Sequence, residues 1–373
     1  MALGTRDTTS LVTLTGWDAA ELRKFALADG TTYDQVVAQI NIAMGALNAE
    51  LYNNPLYGTL ASYTDQPDIE YNMGASAGME LHTEYGMPDN QRAITEGHML
   101  PLQKWDRGLG WTWDYLKDAR LNQIQADIAL GIQDIRDRWR VQLFTRLLQR
   151  GDDSGAANGL GTSGLSPGFA TTAGSTGVDF TPPTFGGSTF SSTHEHYIPI
   201  AGGAFTAAVF QDIRAELREH GHMAPYDVLI GISDETTVRG LTGFVPVAQQ
   251  QVAYGTSVSL ATFQAEDDER SGSYYIGIIE DCRVRVVPGM PQYYGFGYKT
   301  YGMNNPRNPL RVRVERGRSM PMFTAMTNPK SGRGYYPIQQ LILYGEFGVG
   351  VGDRTNGTPR YVNNAAWSDG TPT

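Results

Sequence analysis

Residues 121–147 read LNQIQADIALGIQDIRDRWRVQLFTRL, which sets Leu121, Ile124, Ile128, Ile132, Ile135, Trp139, Leu143 and Leu147 at successive spacings of three and four. That spacing keeps one apolar stripe on a helix. About thirty residues rising about 1.5 Å each would make it roughly 45 Å long. Asp134, Arg136, Asp137, Arg138 and Arg140 fall largely off the stripe, and Gly151 is placed to end the helix. A single stretch with mixed spacing and no continuing heptads argues for a long helix on a globular body rather than a coiled coil.

Upstream, the character changes between Pro67 and Trp113. Ile69–Met73 and Met79–Tyr85 alternate in polarity as half-exposed strands do, Gly86, Pro88, Asp89 and Asn90 mark a turn, and Met99–Trp105 returns. This long hairpin has little apolar density of its own. An isolated two-stranded hairpin is marginal in water, so its stability is expected to come from a neighbour. Before it, Val37, Ile40, Met44, Leu47 and Leu51 predict a helix from about Thr31 to Tyr52. Thr31 and Asp34 resemble a capping box, and Asn53, Asn54 and Pro55 end the helix.

Downstream, residues 151–193 are rich in Gly, Ser, Thr and Pro and read as a long loop. A second helix is expected over Phe205–His220, with Phe205, Val209, Ile213 and Leu217 on one face and Gly221 as its stop. Tyr226–Ile232 reads as a buried strand, residues 233–272 as an exposed polar region, and Tyr274–Ile279, Arg283–Val287, Leu310–Val314 and Gln340–Tyr344 as further strands. The polar tail follows Tyr361. Helices and strands in segregated runs make an α+β fold.

The 373 residues are 40% hydrophobic, with 44 glycines and 19 prolines, which fits real cores joined by many turns. The one cysteine, Cys282, excludes an intrachain disulfide framework. No segment has the apolar length of a transmembrane helix, and the N-terminus lacks a signal-peptide core; no membrane partner is expected. The net charge of −10 is uneven, with four acids against nine bases in residues 301–373. A duplex-reading protein would carry a strong positive field. Acidic and basic segments on one chain fit contacts between copies of it better.

The Walker loop and HExxH are missing. Gly159–Gly164 matches GxGxxG, and Gly74–Gly78 and Gly164–Gly168 match GxSxG, but none of these runs from an expected strand into an expected helix. Gly348-Val-Gly350-Val-Gly352 fits close backbone packing at least as well as a ligand loop. Cys282 follows Asp281 in an expected strand, a poor setting for a thiolate. His194/His196 and His220/His222 form two His-x-His pairs, which bind metal only where further ligands converge; each pair is read as structural or superficial. No catalytic, cofactor or metal residue is assigned.

The order of elements resembles the Hong Kong 97-type major capsid fold of tailed bacteriophages. Gly110-Trp-Thr-Trp-Asp-Tyr-Leu-Lys-Asp-Ala-Arg120, running into the long helix, is similar to the lead-in of that family's spine helix. Thr193-His-Glu-His-Tyr197 with Leu217-Arg-Glu-His-Gly221 resembles a paired signature in one branch, and Glu346–Arg354 looks like the closing segment of the peripheral domain. The resemblance runs from about residue 30 to residue 361.

It implies an N-terminal arm over 1–65, an extended loop over 66–113, a peripheral domain over 114–225 and 301–362, an axial domain over 226–300 and a tail over 363–373. It also implies a shell protein and not an enzyme, forming pentamers and hexamers around packaged double-stranded DNA without sequence-specific binding. The expected location is the virion, after assembly in the host cytoplasm. Separate scaffolding, portal and decoration proteins are possible partners, since no large scaffolding segment precedes the arm. Candidate contacts between subunits are Tyr85, Met87 and Trp105 on the hairpin, and Arg136, Arg140, Arg311 and Arg313 as a basic surface for the acidic 66–110 segment. Lys104 is the only lysine in the loop and lies off its tip, so no covalent Lys–Asn cross-link is expected. The rivals are an encapsulin-like nanocompartment shell and, behind it, an α+β enzyme with an unrecognised site.

Overall fold

The computed structural model describes residues 27–73, 94–112, 115, 118–151, 167–170, 181–191, 193–247, 272–327 and 338–372. In chain order the elements begin with α1 (Tyr33–Asn53), α2 (Pro55–Leu60), β1 (Ala61–Thr64), β2 (Asp68–Met73), β3 (Ile94–Met99), β4 (Gln103–Thr112) and α3 (Leu121–Leu148). Then come β5 (Ile198–Pro199), α4 (Ala207–Glu219), β6 (Tyr226–Ile230), α5 (Glu235–Arg239), β7 (Val245–Pro246), β8 (Tyr274–Ile279) and β9 (Cys282–Val286). The last are β10 (Tyr294–Tyr298), β11 (Leu310–Val314), β12 (Phe323–Thr327), β13 (Ile338–Val351) and β14 (Thr358–Tyr361). They fall into two units, one of residues 1–53, 102–140 and 314–347, the other of 54–101, 141–313 and 348–373.

In the first unit, α1 starts one residue later than the expected capping box. The Gln35 side chain accepts from the Thr32 amide at 2.9 Å, one of the two bonds of a capping box shifted to Thr32/Gln35. Ile40, Met44, Leu47 and Leu51 are buried as their spacing predicts. Asn48 is tied to the backbone of β12 by two bonds of 2.9 Å, one to the Phe323 carbonyl and one from its amide. Along α3, Ile124, Ile128, Ile132, Ile135 and Trp139 are all buried. Gly131 is a close approach, where a Cβ would lie 2.7 Å from Leu343 Cδ1. Strand β13 pairs antiparallel with β4 on one side and β12 on the other. Trp139 packs on Phe347 at 4.7 Å between ring centroids and edge-on to Phe323 at 6.5 Å, which closes this core.

The second unit holds a seven-stranded sheet in the order β5-β14-β10-β6-β9-β8-β7. Strands β6 and β9 are parallel at its centre, and β6 is buried along its whole length. Helix α4 lays Val209, Phe210, Ile213 and Leu217 against Val228, Ile230, Val284 and Val286. Each such side chain contributes roughly 1.5–3 kcal/mol on burial. The sheet draws strands from stretches read separately as peripheral (β5, β14) and axial (β6 to β10), because β10 pairs with β14 and β6 alike. Elsewhere in this unit β1 pairs parallel with β11, and β2 with β3 in a two-stranded ribbon.

The hairpin differs in extent from its sequence reading. Its return is Ile94–Met99, and the ladder stops before Pro101, which has no amide to donate. The stretch from Gln103 belongs to β4 and pairs with β13. The expected strand Met79–Tyr85 and the turn at 86–90 lie outside the described residues. No helix among the described residues is long and apolar enough to cross a membrane.

Candidate functional site

Among the described residues, the most concentrated group of chemically capable side chains is in the second unit, where α4 ends beside the segment leading into β5. The turn at Gly221, with φ of +83°, sends the two histidines of the second pair in different directions. His222 turns to Tyr301 Oη at 2.7 Å and Thr355 Oγ1 at 3.0 Å. His220 instead meets both members of the first pair. Its Nε2 lies 2.9 Å from His194 Nε2 and 2.9 Å from His196 Nε2, and those two are 3.1 Å apart. The reading of two separate pairs is therefore corrected: three imidazoles converge, drawn from both.

His196 is fully buried, and its Nδ1 donates to the Gly357 carbonyl at 2.7 Å. Phe190 stacks on His220 with centroids 4.3 Å apart. His220 Nδ1 is buried without a partner among the described residues. Two carboxylates of α4 stand alongside. Glu219 Oε1 is 3.4 Å from His194 Nε2, and Glu216 Oε1 is 3.8 Å from His196 Nε2. Glu216 Oε2 is taken by Arg360, while its Oε1 is buried with no hydrogen-bond partner among the described residues. Burial pushes all three imidazoles below the usual histidine range, towards the neutral form. Cys282 is buried too, and desolvation pushes its thiol up to about 12, far from a reactive thiolate.

The described candidate assembly residues belong to both units. Tyr85 and Met87 lie outside the described residues. Trp105 is on β4, where its indole packs on Phe347 and donates to the Phe347 carbonyl at 3.3 Å, with Arg138 over its ring at 4.6 Å. Lys104 pairs with Glu346 at 3.4 Å. In the first unit Arg136 holds Glu50, and Arg140 reaches Asp137 at 2.9 Å. In the second, Arg311 donates to the Pro306 carbonyl at 2.9 Å and Arg313 to that of Leu100 at 2.8 Å. What sequence reasoning missed are apolar side chains left in solvent: Ile42 and Leu130 on helices, Met99 on the hairpin and Val245 on the edge strand β7. Ile42 and Leu130 lie off the stripes that identify α1 and α3, and that departure was the available signal.

No protein-family model and no curated protein matches the chain. Among solved structures, a chain of Mycobacterium phage Patience superposes with a TM-score of 0.62 at 17% identity, covering 93% of this chain and 93% of that one. The fold is of the Hong Kong 97 type. The bacteriophage PhiM1 mature capsid gives a TM-score of 0.49 at 11% identity, over 84% of this chain and 88% of that chain. The holo-SrpI encapsulin complex from Synechococcus elongatus gives 0.44 at 10%, over 83% of this chain and 87% of that chain.

Proposed function

We propose that the chain is the major capsid protein of a tailed bacteriophage, a structural subunit that joins copies of itself as pentamers and hexamers into an icosahedral shell around double-stranded DNA. The observation that carries this reading is the superposition on the Mycobacterium phage Patience chain over 93% of both chains. Two features of the subunit support it. The β2–β3 ribbon adds no third strand among the described residues, and a two-stranded ribbon is marginal alone. Ile42, Leu130, Met99 and Val245 leave apolar surface exposed, which copies of the chain would cover.

In this reading residues 1–65 form the arm, 66–113 the extended loop, 114–225 with 301–362 the peripheral domain and 226–300 the axial domain. Many weak contacts over a closed lattice stabilise the shell without tight pairwise affinity. Assembly takes place in the host cytoplasm, with scaffolding, portal and decoration as separate proteins, and the virion is its final location. An acidic chain of net charge −10 would enclose DNA without reading its sequence.

Light scattering on the purified full chain tests this. Masses of rings or shells are expected, and replacing residues 74–93 by a short turn should abolish them while the circular dichroism is retained. A monomer or dimer that persists when a scaffolding partner is supplied would overturn the proposal.

A further inference from the structure

Three nitrogen atoms in mutual contact pose a question of hydrogen accounting. His196 Nδ1 faces the Gly357 carbonyl at 2.7 Å, and a carbonyl only accepts, so Nδ1 carries the proton. Nε2 of neutral His196 is then a bare lone pair. His194 and His220 can each place at most one proton on Nε2, and an N–H points in one direction. With all three separations between 2.9 and 3.1 Å, at least one pair must meet with no hydrogen bond between its nitrogens. Neutral imidazoles alone leave that conflict buried. A cation at the centre removes it, because each lone pair can then point inward.

The dimensions fit. Nitrogens about 3 Å apart lie on a circle of about 1.7 Å radius, so an ion at 2.0–2.1 Å from each would sit roughly 1.1 Å out of their plane, and spreading the nitrogens by about 0.3 Å would open the angles at the ion to tetrahedral. Glu219 Oε1, 3.4 and 3.8 Å from two of the nitrogens, is the nearest carboxylate oxygen among the described residues and a candidate for the fourth position. Glu216 adds a second negative charge. Its side chain is only 8% exposed, and its unpartnered Oε1 lies 3.8 Å from His196 Nε2. The backbone bond to His196 Nδ1 is the kind of outer partner that orients a ligating imidazole.

We propose that His194, His196 and His220 bind one divalent transition-metal ion of the Zn2+ class, with Glu219 beside the fourth position. Imidazole donors suit Zn2+, Cu2+ and Ni2+, whereas Mg2+ and Ca2+ prefer oxygen. The ion pins the end of α4 to the segment entering β5, and the Phe190 ring over His220 covers it. The role is structural, and it does not depend on the capsid reading.

The test uses the full chain without a polyhistidine tag, stripped with EDTA and titrated with Zn2+. One Zn2+ per subunit should survive dialysis and raise the thermal midpoint. Co2+ in its place should show the visible absorption of a tetrahedral site. His194→Ala, at a half-buried position the fold can spare, should weaken Zn2+ binding by more than the about 10–100-fold typical of losing an outer-shell partner, with circular dichroism unchanged. His220→Asn should do the same. Wild-type protein that is folded yet retains no stoichiometric Zn2+, or H194A that holds it as tightly as wild type, would overturn the proposal.

Discussion

Arg136 on α3 and Glu50 on α1 face each other as a two-pronged pair, with Nε–Oε1 at 3.0 Å and Nη2–Oε2 at 2.7 Å. The planar guanidinium matches the carboxylate in a way lysine cannot. Arg136→Ala should therefore cost about 1–2 kcal/mol of subunit stability, and Arg136→Lys should recover only part of it. Urea denaturation of the unassembled subunit measures this. A neutral R136A substitution that altered only assembly would return Arg136 to the role of an intersubunit contact.

Trp139 should be the most sensitive position of the first unit. It is fully buried and packs on Phe347 and Phe323. Truncation to alanine should cost about 3–5 kcal/mol through lost contacts and a residual cavity. The denaturation midpoint followed by tryptophan fluorescence checks it, and Trp139→Phe should lose much less.

His98 gives the subunit an acid-sensitive step. Burial holds its pKa down at about 3, with the Arg354 charge adding to the effect, and its Nε2 bonds the Val351 carbonyl at 3.1 Å. The folded value lies below the unfolded one of about 6.5, so the unfolded chain takes up the proton first. The stabilisation is complete above about pH 6.5 and is lost as pH falls towards 3. Wild type should lose stability relative to His98→Gln between pH 7 and 4. Parallel pH profiles of the two proteins would contradict this.

Gly297 should not accept a side chain. A Cβ there would lie 2.3 Å from Ile213 Cγ2, so Gly297→Ala must displace α4 from the sheet. A loss of about 1–3 kcal/mol is expected, read from the thermal midpoint.

The same glycines explain what was illegible in the sequence. Tyr-Gly-Phe-Gly-Tyr over 294–298 breaks its aromatic strand formers with two glycines, yet it is β10, with glycine required where Phe205 and Ile213 press on the backbone. Helices α1, α3 and α4 and strands β6, β8, β9 and β11 were legible, because each carries its own periodicity or an unbroken apolar run. Strand β4 was not, since Gln103–Thr112 is mostly exposed and owes its form to long-range pairing with β13. The histidine cluster was half legible. Both pairs are visible as pairs, but the choice of His220 over His222 depends on the Gly221 turn and on where β5 and β14 place His196 and Gly357.

Cryo-electron microscopy of particles made by the full chain tests the central claim most directly. The account predicts closed shells in which this chain alone forms the five- and six-fold clusters, each hairpin resting on an adjacent subunit, with double-stranded DNA inside when packaging components are present. A discrete monomer or dimer under those conditions would contradict it, and shells filled by a single protein cargo would replace the phage reading with that of a nanocompartment.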